Sequence, residues 1–234
     1  MIDQDGADLV FVTGTPGSKW SAIAHALIYA DGVNLSDISL ERTHTTASRT
    51  YHFGNYFGPG MEYGRAFDRI DNLSKDAMLD ELAAPFASPG GVKLIKSHMF
   101  ARHLPRLAAM FPKARFLLVH RPDAACLAWW ELAGGFSISF PDYRWYESST
   151  NMQEQIRIDN AAIEGFVAAR RGKLSRRRSM APILAALGLS YSEERVREVA
   201  DMEFERRFGF GGQPFEDVMR DCHAVARVAA VCVL

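Results

Sequence analysis

Three short stretches carry residue types able to grip an anion or move a proton. The first is Thr13-Gly14-Thr15-Pro16-Gly17-Ser18-Lys19-Trp20-Ser21. Its glycines let backbone N–H groups approach an anion, Lys19 adds a full positive charge, and Ser18 and Ser21 add hydroxyl donors. It does not match the G-x-x-x-x-G-K-[ST] loop of nucleoside triphosphatases: Ser18 precedes Lys19, and the distance from Gly14 to Lys19 is one residue too short. A tight turn with a surface lysine is the plain alternative. The second stretch is Lys96-Ser97-His98, where a histidine with an ordinary pKa near 6.5 suits a general base. The third is Val119-His120-Arg121-Pro122-Asp123. Its arginine has the planar fork that suits a phosphate, or it pairs with Asp123 or another acid as a structural contact. A metal-dependent nucleotide enzyme would place an aspartate at such a strand end, and here His120 and Arg121 stand there.

The surrounding pattern gives each stretch a position. Leu9 to Thr13 is a short β-rich apolar run broken by Gly14, Pro16 and Gly17, followed by a helical pattern from Ser18 to Ala30. Val92 to Ile95 and Arg115 to His120 read as further strands, so all three stretches follow strands. In open α/β sheets ligands bind at the carboxyl ends of the strands. Asp76 to Phe86, Arg102 to Met110, Asp123 to Ala133 (with Asp123 as N-cap), 151–170, 179–187 and 192–206 read as helices. Strands alternating with helices predict an α/β fold with a parallel β-sheet flanked by helices, in one domain spanning 1–234. Segments 43–64 and 134–146 are aromatic and irregular and read as loops. The apolar tail Ala224 to Leu234 reads as a terminal helix or strand packed on the body.

Composition narrows the classes. Of 234 residues, 48% are hydrophobic and 24% charged, which excludes a wholly disordered chain. Lys plus Arg total 27 against 28 acids, so any anion site is local, and general binding to nucleic acid or to a membrane surface is not expected. Six of the nine residues from Arg170 to Arg178 are basic, which reads as a solvated run or, alternatively, as cover for a phosphate or an anionic acceptor. The three cysteines, Cys126, Cys222 and Cys232, show no metal-ligand spacing and suggest a reducing, cytoplasmic setting. Met1 to Asp8 holds three acids and no base, unlike a signal peptide.

The order of the three stretches resembles the PAPS-dependent sulfotransferase family, PAPS being 3′-phosphoadenosine 5′-phosphosulfate. Pro16-Gly17-Ser18-Lys19-Trp20-Ser21 is similar to the family's P-K-S-G-T loop. Lys96-Ser97-His98 is similar to its K-T-H segment, and Arg121-Pro122-Asp123 followed by Trp129-Trp130 to its 3′-phosphate motif. Leu187-Gly188-Leu189, Ser192-Glu193-Glu194 and Phe204 form a weaker echo of a later stretch. The chain also departs from the family. Gly17 stands where the family has its loop lysine, and Leu127 or Ala128 where it has a serine. The family's C-terminal cofactor segment has no in-order counterpart.

The resemblance implies a P-loop-like, three-layer architecture and transfer of a sulfuryl group from PAPS to a hydroxyl or amine of a small-molecule or carbohydrate acceptor, without a metal. It implies His98 as the general base, with Lys19 and Lys96 stabilising the leaving charge. Thr15, Pro16, Gly17, Ser18, Lys19, Trp20 and Ser21 would hold the 5′ end of the donor and Arg121 its 3′-phosphate. Trp20 either stacks on adenine or packs in the core. A small-molecule kinase with a degenerate P-loop and a non-catalytic nucleotide-binding protein remain as alternatives.

Overall fold

In the computed structural model of the chain, residues 2–37, 44–45, 51–52, 70–137, 143–177, 179–201 and 215–234 are described. Their elements are, in chain order, β1 (Leu9–Gly14), α1 (Trp20–Leu27), β2 (His44–Thr45), β3 (Tyr51–His52), α2 (Lys75–Ala83), β4 (Lys93–Lys96), α3 (Phe100–Met110), β5 (Arg115–His120), α4 (Asp123–Leu132), α5 (Ser149–Ala169), β6 (Ser175–Arg176), α6 (Ala181–Leu187), α7 (Glu193–Asp201), α8 (Phe215–Val228) and β7 (Ala230–Val233).

The main sheet has the strand order β4-β1-β5-β7-β6. Both neighbours of β1 run parallel to it, as the strand–helix alternation predicts. The sheet as a whole is mixed, which corrects the expected all-parallel sheet: β7 runs antiparallel to β5, and β6 antiparallel to β7. Ala230 pairs with His120, the last residue of β5, so β7 begins at the carboxyl edge of the parallel strands and can only run back from it. The apolar tail is thus the last turns of α8 followed by a strand.

Alternation along the strands builds two cores, because successive side chains point to opposite faces. Val10, Val12, Leu94, Leu117 and Val119 face α1, α6 and α8. Leu9, Phe11, Ile95, Phe116 and Leu118 face α2, α3 and α5. Every residue of β1 is buried, consistent with a strand covered on both faces. The chain moves from β1 to β4 on one side, then crosses to β5 on the other, and α1 and α3 lie on opposite faces of the sheet. The carboxyl end of β1 is therefore a switch point, where an α/β sheet leaves a crevice.

Several local expectations shift. The first helix begins at Trp20 rather than Ser18, because Lys19 adopts a left-handed conformation that ends the turn. Asp123 is not the N-cap of α4: Pro122 holds that position and Asp123 is the first helical residue. Of segment 43–64, the described residues form the short antiparallel pair β2–β3, and the rest lies outside the described residues. In the basic run, Ser175 and Arg176 form β6, while Arg178, like Phe204, lies outside the described residues. Gly188 takes a left-handed C-cap on α6, and the Ser192 hydroxyl accepts the Arg195 N–H at the start of α7, so both serve local structure. Among the described residues no helix is long and apolar enough to cross a membrane, and Cys126, Cys222 and Cys232 are free thiols.

Candidate functional site

The turn after β1 is fixed from below by sterics. Gly17 has φ +77°, and a Cβ there would lie 2.0 Å from the Cys126 carbonyl oxygen of α4. Only glycine lets the turn sit this close to the helix that follows β5. Lys19 has φ +65°, a conformation rare for a residue with a side chain, at the head of α1. The first-turn N–H groups of α1 and its positive dipole end face the same region. Ser18 is fully buried, and its hydroxyl has no hydrogen-bond partner among the described residues; nor has that of Thr13. A Cβ on Gly14 would stand 2.7 Å from the Ser18 oxygen, so the glycine makes room for the hydroxyl.

Positive charge gathers at this turn. The Arg121 guanidinium donates to the Gly17 carbonyl at 3.4 Å. Lys19 has its pKa lowered by burial and then by the Arg121 charge, with Asp221 opposing. The Lys19 ammonium sits 3.4 Å above the centre of the Trp129 ring, a cation–π contact. Pro16 belongs to the same turn, and Ser21 lies partly exposed in the first turn of α1. Trp20, by contrast, is 6% exposed and joins the core beneath α1, which places it in the core reading of its two options.

Thr15 does not point a free hydroxyl at the turn. It donates to the Asn160 carboxamide oxygen, and the Asn160 amide in turn donates to the Arg121 carbonyl at 2.8 Å and to Asp123 Oδ1 at 2.6 Å. The Asp123 carboxylate is thus engaged by Asn160 instead of capping its own helix.

His98 follows β4 and is buried at 6% exposure. Edges and faces of Tyr143 and Trp145 meet its ring, each with centroids 6.1 Å away, and those two aromatics stack on each other at 4.3 Å. Burial, reinforced by the Arg102 charge, pushes the His98 pKa down to about 3. Arg102 in turn bonds the buried Asp159 at 3.0 Å, which also accepts from Gln155, and burial raises Asp159 to about 6. Lys96 sits on the α1 side of β4. Burial lowers it to about 8 against the pull of Asp37, and its charge helps keep the buried His25 at about 4. The electrostatic neighbours of Lys96 are therefore His25 and Asp37, while those of Lys19 are Arg121 and Asp221.

The structure thus brings Thr15, Gly17, Lys19 and Arg121 together, with Asn160 tying Thr15 to Arg121 and the adjacent Asp159 bonding Arg102, four residues after His98. The sequence reading missed Asn160, Asp159 and Arg102. Gln155, Asp159 and Asn160 share the buried stripe of α5 with Ile156 and Ile163, and polar residues in the apolar phase of a helix were the available signal. Trp129 carries Lys19 on its face, and Trp130 stacks on Tyr146 at 5.6 Å. His120 pairs with Glu164 at 2.9 Å and His103 with Asp71 at 3.1 Å. Leu127 and Ala128, at the family's serine position, bring no hydroxyl. Among the described residues no cluster of three His, Cys, Asp or Glu is placed to hold a metal ion. Comparisons with family models, with curated proteins and with solved structures each found no match to this chain.

Proposed function

We propose that the protein is a PAPS-dependent sulfotransferase with a P-loop-like sulfotransferase architecture, acting on a hydroxyl or amine of a small-molecule or carbohydrate acceptor. The observation that carries the reading is the gathering of Lys19 and Arg121 on one glycine turn at the carboxyl end of β1. Two cations held together repel one another, and an anion between them relieves the repulsion. The buried, unpartnered Ser18 hydroxyl adds a donor that a bound anionic group would satisfy. The residues present therefore fit an anionic group of the donor at this turn.

In this reading the donor supplies an activated sulfuryl group and a phosphate leaving group. Lys19, Ser18 and the N–H groups of Gly17 to Ser21 hold the 5′ end, and Arg121 holds the 3′-phosphate that separates PAPS from ATP. Lys96 is charged below about pH 8 and adds positive potential at the end of β4. His98 is unprotonated at neutral pH and so is able to accept the acceptor's proton. Its basicity rises when anionic groups bind nearby, because negative charge favours the imidazolium. Tyr143 and Trp145 exclude water from the ring.

Titration calorimetry with 3′,5′-adenosine bisphosphate and with ATP, each with and without Mg²⁺, tests the reading. Tighter binding of the bisphosphate, unchanged by Mg²⁺, is expected. Preference for ATP with Mg²⁺ would replace the proposal with a kinase, and bisphosphate binding without sulfuryl transfer to any acceptor would leave a nucleotide-binding protein.

A further inference from the structure

Asn160 is 3% exposed on α5 and 145 residues from Thr15 in the chain, yet its carboxamide touches both anion-gripping segments. The amide orientation is dictated by its partners. The Arg121 carbonyl and the Asp123 carboxylate can only accept, so the NH₂ group faces them, and the oxygen is left to take the Thr15 hydroxyl. One side chain thus spans the turn after β1 and the turn after β5. The preceding residue, Asp159, ties the same helical segment to Arg102, on the helix that follows His98. Residues 159–160 therefore connect the segments following all three parallel strands.

We infer that Asn160 is a positioning residue that fixes the distance between the grip on the donor's 5′ end and the grip on its 3′-phosphate. The inference rests on the sulfotransferase reading. A ligand held at two points gains from both only when the spacing of the grips matches its own length. The Thr15 contact of Asn160 is buried and the Arg121 and Asp123 contacts are part-buried, so losing them strands polar groups and frees one grip to drift. A helix is a suitable carrier, because α5 is anchored by Ile163, Phe166 and Val167 in the core.

The test compares wild type, Asn160→Ala and Thr15→Val. Thr15→Val is nearly isosteric and severs the loop half of the tie alone. Three probes are titrated: 3′,5′-adenosine bisphosphate, adenosine 5′-monophosphate and adenosine 3′-monophosphate. Hydrogen exchange of the ligand-free protein is followed over 15–19 and 121–126. A positioning role predicts that both variants lose about tenfold or more in bisphosphate affinity while each monophosphate changes by less than about threefold. It also predicts faster exchange in both turns for Asn160→Ala, and restoration of wild-type behaviour by Thr15→Ser. An equal loss for all three ligands, or unaltered exchange in both turns, overturns the inference. A wild type that binds no bisphosphate, with exchange still accelerated in Asn160→Ala, removes the donor reading and leaves the tie as a structural element.

Discussion

Lys19 is held in a left-handed conformation that a glycine would adopt more easily, and its ammonium rests on Trp129. Local strain kept at this turn points to a role for the side chain. Lys19→Gly separates the two effects. Relief of the strain offsets the lost cation–π contact, so stability should change by less than about 1 kcal/mol. Bisphosphate affinity should fall by at least about tenfold, as expected when a charged contact worth about 1.5–3 kcal/mol is removed. Urea unfolding and calorimetry on the same samples read both, and intact affinity would make Lys19 a bystander. His98 carries the complementary expectation. Its removal in His98→Ala should slow transfer by about 10²–10⁴-fold, the scale of general-base help, while bisphosphate affinity stays within about twofold. Transfer at the wild-type rate would assign the proton to another group.

At the level of elements, the turn between β1 and α1 is shaped by its contact with α4 more than by its own sequence. A Cβ on Gly17 would overlap the Cys126 carbonyl, and the φ of +77° penalises any side chain besides. Gly17→Ala should therefore cost about 2 kcal/mol or more in urea unfolding and abolish bisphosphate binding, because the turn must lift away from Arg121. A variant as stable as wild type would show that the approach of turn to helix is dispensable. The parallel strands were legible because their signals are local: the run Leu9 to Thr13 and the residues Arg115 to His120 became β1 and β5 nearly residue for residue. Helix starts were less legible. The start of α1 depends on the conformation of Lys19, and Asp123 was drawn from capping by Asn160, which lies 37 residues away.

For the molecule as a whole, two buried histidines set an acid limit that a buried aspartate partly offsets. His98 and His25 have their pKa values lowered to about 3 and about 4, from an ordinary value near 6.5. Below pH 6.5 the unfolded chain binds protons that the native one refuses, so stability is lost as the pH falls from 6.5 towards 3. Asp159, raised to about 6, acts in the opposite sense. It takes up a proton in the native state first, adding stability as the pH falls from 6 to about 4 and offsetting part of the histidine effect. The urea midpoint should therefore drop between pH 7 and 5, and Asp159→Asn should steepen the drop below pH 6; a flat wild-type profile over that range would contradict the burial of the two histidines. The amino-acid sequence by itself determined the α/β alternation and the glycine turn after the first strand, because each depends on neighbours a few residues apart. Tertiary structure decided the antiparallel β7, the seat of Lys19 on Trp129 and the bridge from Thr15 through Asn160 to Arg121. Those contacts join residues tens to more than a hundred positions apart, and the packing of α4, α5 and α8 on the sheet is what brings them within reach.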